Sequence, residues 1–189
     1  VRVALALALV GAAACGGGGG GDDDAPADID AAAGAPDAAA DLPDGGGAAI
    51  ELEIGSAGED GTGYIAVAPG GDVSMFTGPQ GGHHIWNGYR IRGVTATVQI
   101  ACDVRRASDD EPITSAPPIT REVASEDDWW DSSDAIFTIM CPLGTPVDGV
   151  EMIVHMELTR DDDGSSLGDF EKHVVPRCVT EQCQTDCGS

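Results

Sequence analysis

Two tryptophans stand side by side in a run of acids, Ser125-Glu126-Asp127-Asp128-Trp129-Trp130-Asp131-Ser132-Ser133-Asp134. Exposed indole faces stack on sugar rings or peptide planes, and neighbouring carboxylates accept hydrogen bonds from hydroxyl and amide groups. Asp128, Trp129 and Trp130 are therefore candidate ligand-binding residues. A second candidate stretch is Gly78-Pro79-Gln80-Gly81-Gly82-His83-His84-Ile85-Trp86. Proline fixes one φ and the glycines admit positive φ, so this is a tight link between two strands. As a loop it would present Gln80 and His83 to a ligand. Neighbouring histidines on a strand point to opposite faces, so His83 and His84 are not expected to share one metal. Trp86 reads as a core anchor whose indole needs a hydrogen-bond partner.

Patterns that carry catalysis are missing. No serine sits in a Gly-x-Ser-x-Gly elbow, no His-Glu-x-x-His helix exists, and the chain has 4 histidines. The chain is read as a non-enzyme; a surface hydrolase using carboxylates near Trp129 is the alternative. Asp161-Asp162-Asp163-Gly164 with Glu171 suggests calcium, but Gly falls fourth and Glu eleventh. An EF-hand loop needs them sixth and twelfth. A hairpin turn is the simpler reading, and a calcium-stabilised structural domain built from several loops stays as a further alternative. Cys178-x4-Cys183-x3-Cys187 lacks a nearby fourth zinc ligand. No metal and no cofactor are expected.

Cys15 speaks to location. It follows Arg2, the apolar run Val3–Val10 and the small residues Gly11-Ala12-Ala13-Ala14. That order is a secretion signal of the bacterial lipoprotein type, cut before a cysteine that receives lipid. The apolar run is shorter than the about 20 residues a membrane span needs. Residues 1–14 are thus the expected signal peptide. Residues 15–48 are the lipidated cysteine and a Gly/Ala/Asp-rich tether too poor in apolar surface to fold. A flexible coil of that kind reaches roughly 30 Å. The expected location is the cell envelope, with outer membrane or surface preferred because Gly16 and Gly17 carry no inner-membrane retention signal.

The chain holds 33 acids against 9 lysines and arginines, for a formal charge of −24. Such a surface repels nucleic-acid phosphate and anionic lipid headgroups. No nucleic-acid partner is expected; the membrane is reached through lipid alone, and a protein or glycan ligand fits better.

An exported compartment permits disulfides. Cys102, Cys141, Cys178, Cys183 and Cys187 remain once Cys15 is set aside, an odd number. If residues 150–158 and 168–176 form a hairpin about Asp163, Cys141 lies near the tail. Cys178 is its simplest partner, Cys183 with Cys187 closes a small loop, and Cys102 is a buried free thiol. The competing pair is Cys102 with Cys141, since both point to the dry face.

From Ile50 the apolar pattern has period two. Ile50, Leu52 and Ile54 alternate with acids; Ile65 and Val67 follow, then Val73 and Met75. Ile85, Asn87, Tyr89 and Ile91 share one face. Val94, Ala96, Val98, Ile100, Cys102 and Val104 form the cleanest stripe. Ile119 and Val123 mark a weak strand. Ala135, Phe137, Ile139 and Cys141 alternate again, as do Val150, Met152, Val154, Met156 and Leu158, with a last strand over Phe170–Val175. These are about eight short strands with turn signals between them and no clear helix. One wet and one dry face per strand predicts an all-β fold, an antiparallel Ig-like β-sandwich of 7–8 strands over residues 49–178. A closed barrel or jelly roll is the alternative. Residues 179–189 form a cysteine-containing tail.

The Gly78–Trp86 stretch, with Tyr89-Arg90-Ile91-Arg92-Gly93 and with Thr159-Arg160-Asp161-Asp162-Asp163-Gly164 leading to Val174-Val175-Pro176 and a cysteine, resembles uncharacterised lipoproteins of myxobacteria and related bacteria. The likeness covers about half of the chain. It implies a surface lipoprotein with an Ig-like domain and carries no activity. The resulting expectation is a lipid-anchored binding or scaffolding module.

Overall fold

The computed structural model describes residues 49–78, 81–142 and 144–188. Cys15, the tether and Gln80 lie outside the described residues.

Among those residues nine strands and one helix are formed: β1 (Glu51–Ser56), β2 (Gly71–Thr77), β3 (His83–Arg92), β4 (Val94–Arg106), β5 (Pro112–Ser125), β6 (Trp130–Asp131), β7 (Ile136–Cys141), β8 (Met152–Arg160), β9 (Ser166–Cys178) and α1 (Glu181–Cys187). The strands hydrogen-bond in the order β1-β3-β2-β9-β8-β4-β5, with β6 and β7 on β3. The fold is all-β, as the period-two pattern predicts. The sheet is mixed, however, and not wholly antiparallel: β2 runs parallel to β9, from Gly71↔Val174 to Met75↔Cys178. The cause is local. The far end of β2 turns into β3 as a short hairpin, Phe76↔His84 and Thr77↔His83, so one strand serves two neighbours and joins the two halves of the sheet.

The core follows the predicted stripes. Val98, Ile100, Cys102 and Val104 of β4 face Met152, Val154, Met156 and Leu158 of β8, all essentially without exposure. Ile85, Tyr89 and Ile91 of β3 are equally buried. At roughly 25 cal/mol per Å² of apolar surface, each such side chain contributes about 1.5–3 kcal/mol.

Three readings need correction. Ile65 and Val67 form no strand: Ile65 is 52% exposed and meets β1 through the single bridge Ser56↔Ile65. The segment instead crosses the outside of the sheet over Gly55 and Gly88, which are paired across β1 and β3. A Cβ on Gly55 would strike Ile65 carbonyl oxygen, and one on Gly88 would strike that of Ser56. Second, β7 has the opposite phase. Ile136, Thr138 and Met140 point in, while Phe137 and Ile139 are 39% and 45% exposed. A register shift between His83 and His84 in the β3–β7 ladder lets Met140 and Cys141 both turn inward at the strand end. Third, the tail holds a helix. Thr180 caps α1, its hydroxyl accepting from the Cys183 N–H at 3.2 Å.

That helix also redirects the disulfides. Cys141 bonds Cys187 and Cys178 bonds Cys183, with Cα separations of 5.6 and 5.3 Å. The expected Cys141–Cys178 and Cys183–Cys187 pairs are not formed, nor is Cys102–Cys141. The hairpin does bring Cys141 to the tail, but α1 folds back beneath it. The Val147 N–H donates to Cys187 carbonyl oxygen at 2.9 Å, and the Cys178 N–H to Asp148 Oδ1 at 2.9 Å. Cys187 is thereby set under β7. Cys102 is buried without a disulfide partner, as expected.

Candidate binding face around Trp129

β6 is only two residues long, and its pairing decides where the tryptophans go. Asp131 sits opposite Arg90 and Trp130 opposite Ile91. Trp130 packs against the core, its ring centroid 6.3 Å from that of Tyr89. Trp129 is thrown to the outer face, half-buried. There it meets two arginines that alternate outward along β3. Arg90 Cζ lies 4.3 Å and Arg92 Cζ 4.7 Å from the Trp129 ring centroid. Guanidinium planes over an indole are held by the ring quadrupole, at about 0.5–1 kcal/mol each when exposed.

The arginines are themselves fixed from β1, because the register sets Glu53 opposite Arg90 and Glu51 opposite Arg92. Arg90 donates to Glu53 Oε2 from Nε at 3.0 Å and from Nη2 at 2.8 Å. Arg92 Nη2 donates to both oxygens of Glu51 at 2.7 Å. The Tyr64 hydroxyl donates to Glu53 at 3.0 Å, and Arg90 lies over the Tyr64 ring. Burial pushes the Glu53 carboxyl up, but the Tyr64 and Arg90 hydrogen bonds and the Arg90 charge outweigh it and hold the group below its ordinary range. Burial, and then the bond to Glu53, pushes the Tyr64 hydroxyl up. The result is a ladder of two aromatic rings, two guanidinium groups and two carboxylates on one open sheet face.

Grooves flank the ladder. One of about 140 Å³ is lined by Ala49, Glu51, Arg92, Gly93, Glu126 and Asp127. Another, of about 470 Å³, runs along Thr95 and the segment from Ala124 to Asp128. The Ser125 hydroxyl donates to the Asp128 carbonyl oxygen and pins the loop that carries Trp129.

Of the sequence-predicted residues, Asp128 and Trp129 come together here and Trp130 does not. His83 is corrected: it is not presented by a loop but fully buried, 0% exposed, at the start of β3. Its Nε2 is 2.9 Å from Asp186 Oδ2 and its Nδ1 is 3.1 Å from Thr77 Oγ1. Trp86 donates its indole N–H to Glu59 carbonyl oxygen at 3.2 Å, yet its ring belongs to the outer face. It stands edge-on to His84 and Phe137, at centroid distances of 4.9 and 5.3 Å. Sequence reasoning missed Arg90, Arg92, Glu51, Glu53 and Tyr64. The signal was present: two arginines and two glutamates, each pair at a spacing of two, in adjacent alternating strands.

Three of the four acids of the calcium alternative, Asp161, Asp163 and Glu171, are engaged separately. Asp161 accepts from Gln99 at 2.7 Å, Asp163 from the Ser165 N–H at 2.9 Å, and Glu171 from Arg105. Among the described residues, none of these acids joins a cluster with metal-ligand spacing.

No family model matches the chain, and no curated protein is similar to it. Among solved structures it is similar to a Bacteroides uniformis beta-glucuronidase at 12% identity and a TM-score of 0.36; the match covers 66% of this chain and 13% of that enzyme.

Proposed function

We propose that the chain is a lipid-anchored binding module of the cell envelope, related to the myxobacterial-type lipoproteins, whose contact surface is the Trp129 ladder. The carrying observation is the fixation of Trp129 on an open sheet face by Arg90 and Arg92. Rigid aromatic surface flanked by paired donors and acceptors suits a hydroxyl-rich ligand, and we take a glycan as the ligand class. Equal numbers of guanidinium and carboxylate groups argue against a polyanion. The module acts by binding and not by turnover. Its fold reads as an Ig-like variant in which β2 pairs with β3 at one end and with β9 along the rest. The Cys15 signal and the acidic tether supply location and reach.

A glycan array probed with the purified chain and with Trp129→Ala tests the reading. Binding by the first and its loss in the second are expected; no binding, or equal binding, contradicts it.

A further inference from the structure

The tail helix sets Cys183 and Cys187 against His83, and Cys178 and Cys141 are bonded to them. The two disulfides lie side by side: the Sγ atoms of Cys183 and Cys187, which belong to different bonds, are 3.7 Å apart. A ring nitrogen of His83 lies within 4.8 Å of both, and all three residues are buried. Two thiolates on a tetrahedral zinc ion, each at about 2.3 Å, stand about 3.8 Å apart. Cys183 and Cys187 reach this spacing because they sit one turn apart on α1 and so share a face. A fourth donor, Cys141, lies outside that 4.8 Å group and joins it only by turning inward once its disulfide is cut. Cys141 is the cross-strand partner of His83 in the β3–β7 register, and its sulfur is joined to that of Cys187. The His83 ring is already oriented: Asp186 holds one nitrogen and Thr77 the other. Ligating histidines are held in this way, with a carboxylate on the second nitrogen. On metal binding one of the two contacts gives way and the other fixes the ring.

We propose that reduction of the two disulfides converts this cluster into a zinc site made of Cys141, Cys183, Cys187 and His83. Sequence spacing hides it, because two of its four ligands come from β3 and β7 and not from the tail. Each disulfide takes two electrons. With a phosphine reductant, each phosphine becomes a phosphine oxide using the oxygen of one water, and two thiols form per disulfide. Zinc then displaces the thiol protons of Cys141, Cys183 and Cys187 to the buffer, and neutral His83 supplies its lone pair. Cys178 is left as a free, partly exposed thiol. This site is independent of the Trp129 face.

The test uses the full chain, reduced with tris(2-carboxyethyl)phosphine, and two variants that lack the same disulfide. Cys178→Ser and Cys183→Ser both break the Cys178–Cys183 bond, but only the second removes a ligand. Cobalt titration of the reduced wild type should give tetrahedral and thiolate charge-transfer absorption at one metal per chain, displaced by zinc. Cys178→Ser should keep that signal and stoichiometry; Cys183→Ser should weaken binding at least tenfold, and Cys102→Ser should change nothing. Equal retention or equal loss in the Cys178 and Cys183 variants overturns the proposal. So does a reduced wild type that takes up no stoichiometric metal, or one whose β-sheet circular dichroism is lost and does not return with zinc.

Discussion

Trp129 loses two guanidinium contacts when truncated to alanine, but little core. The expected destabilisation is therefore only about 1–2 kcal/mol, from two exposed cation–π contacts, and urea melts of Trp129→Ala should show it with an unchanged slope. A loss above about 4 kcal/mol would make the residue a structural anchor instead. Cys102 offers a second check. Burial, with Asp103 adding to it, pushes its thiol up to about 12. Cys102 itself, followed by peptide mapping, should resist iodoacetamide at neutral pH in the folded chain and react only when unfolded, because the thiolate is the nucleophile. His155 is held above its ordinary imidazole range. Burial pulls its pKa down, but hydrogen bonds and charge from Asp103, at 2.7 Å, and Asp169, at 3.3 Å, outweigh this and leave it raised. A raised folded pKa means its contribution is complete below the unfolded value near 6.5 and fades as pH rises through the folded one. Melts of wild type and His155→Gln should differ at pH 5.5 and converge by pH 9. At this scale the sequence singled out Trp129 and Asp128 as candidates, since indole beside carboxylate is chemistry visible in one line of residues. It hid the burial of His83, because the glycines before it look like an exposed turn while its partner Asp186 lies far along the chain.

The strands themselves divide the same way. β3, β4 and β8 were readable because one face is apolar at every second position and the other is not. β7 was not, because Ile136 and Met140 alternate with Phe137 and Ile139, and both phases are apolar. Only the partner strand chooses between them. The inverted phase has a measurable consequence: Ile136→Ala should cost about 2–4 kcal/mol through lost burial and a cavity, whereas Ile139→Ala should cost under about 1 kcal/mol. The reverse order would restore the phase read from sequence. Ile65 and Val67 misled for a related reason. Alternation over two apolar positions does not outweigh a path across Gly55 and Gly88, where the absence of Cβ lets backbone lie on backbone.

For the molecule as a whole, the tail is a lock on the sheet. Cys141–Cys187 spans 46 residues and ties α1 to β7, whereas Cys178–Cys183 spans 5. By loop-closure entropy the longer link stabilises more, about 3–4 kcal/mol for a loop of that size. Non-reducing peptide mapping should return these two pairs, and the Cys141→Ser/Cys187→Ser double variant should melt well below Cys178→Ser/Cys183→Ser. The hairpin about Asp163 was enough to predict which cysteines meet. It was not enough to pair them, because a helix of seven residues, one hydroxyl cap and a backbone bond from Val147 decide which sulfur sits beside Cys141. With the lock in place, β1, β3 and β6 hold the Trp129 ladder on a fixed frame.

The most direct measurement is a nitrogen-edited NMR titration of the labelled chain with the glycans that bind it on an array. Shifts should concentrate on the Trp129 indole N–H, the Arg90 and Arg92 guanidinium groups and the amides of Glu51 and Glu53. Shifts centred on Trp86, Phe137 and Ile139 with the Trp129 indole unmoved, or no shifts at all, would contradict a binding face at Trp129.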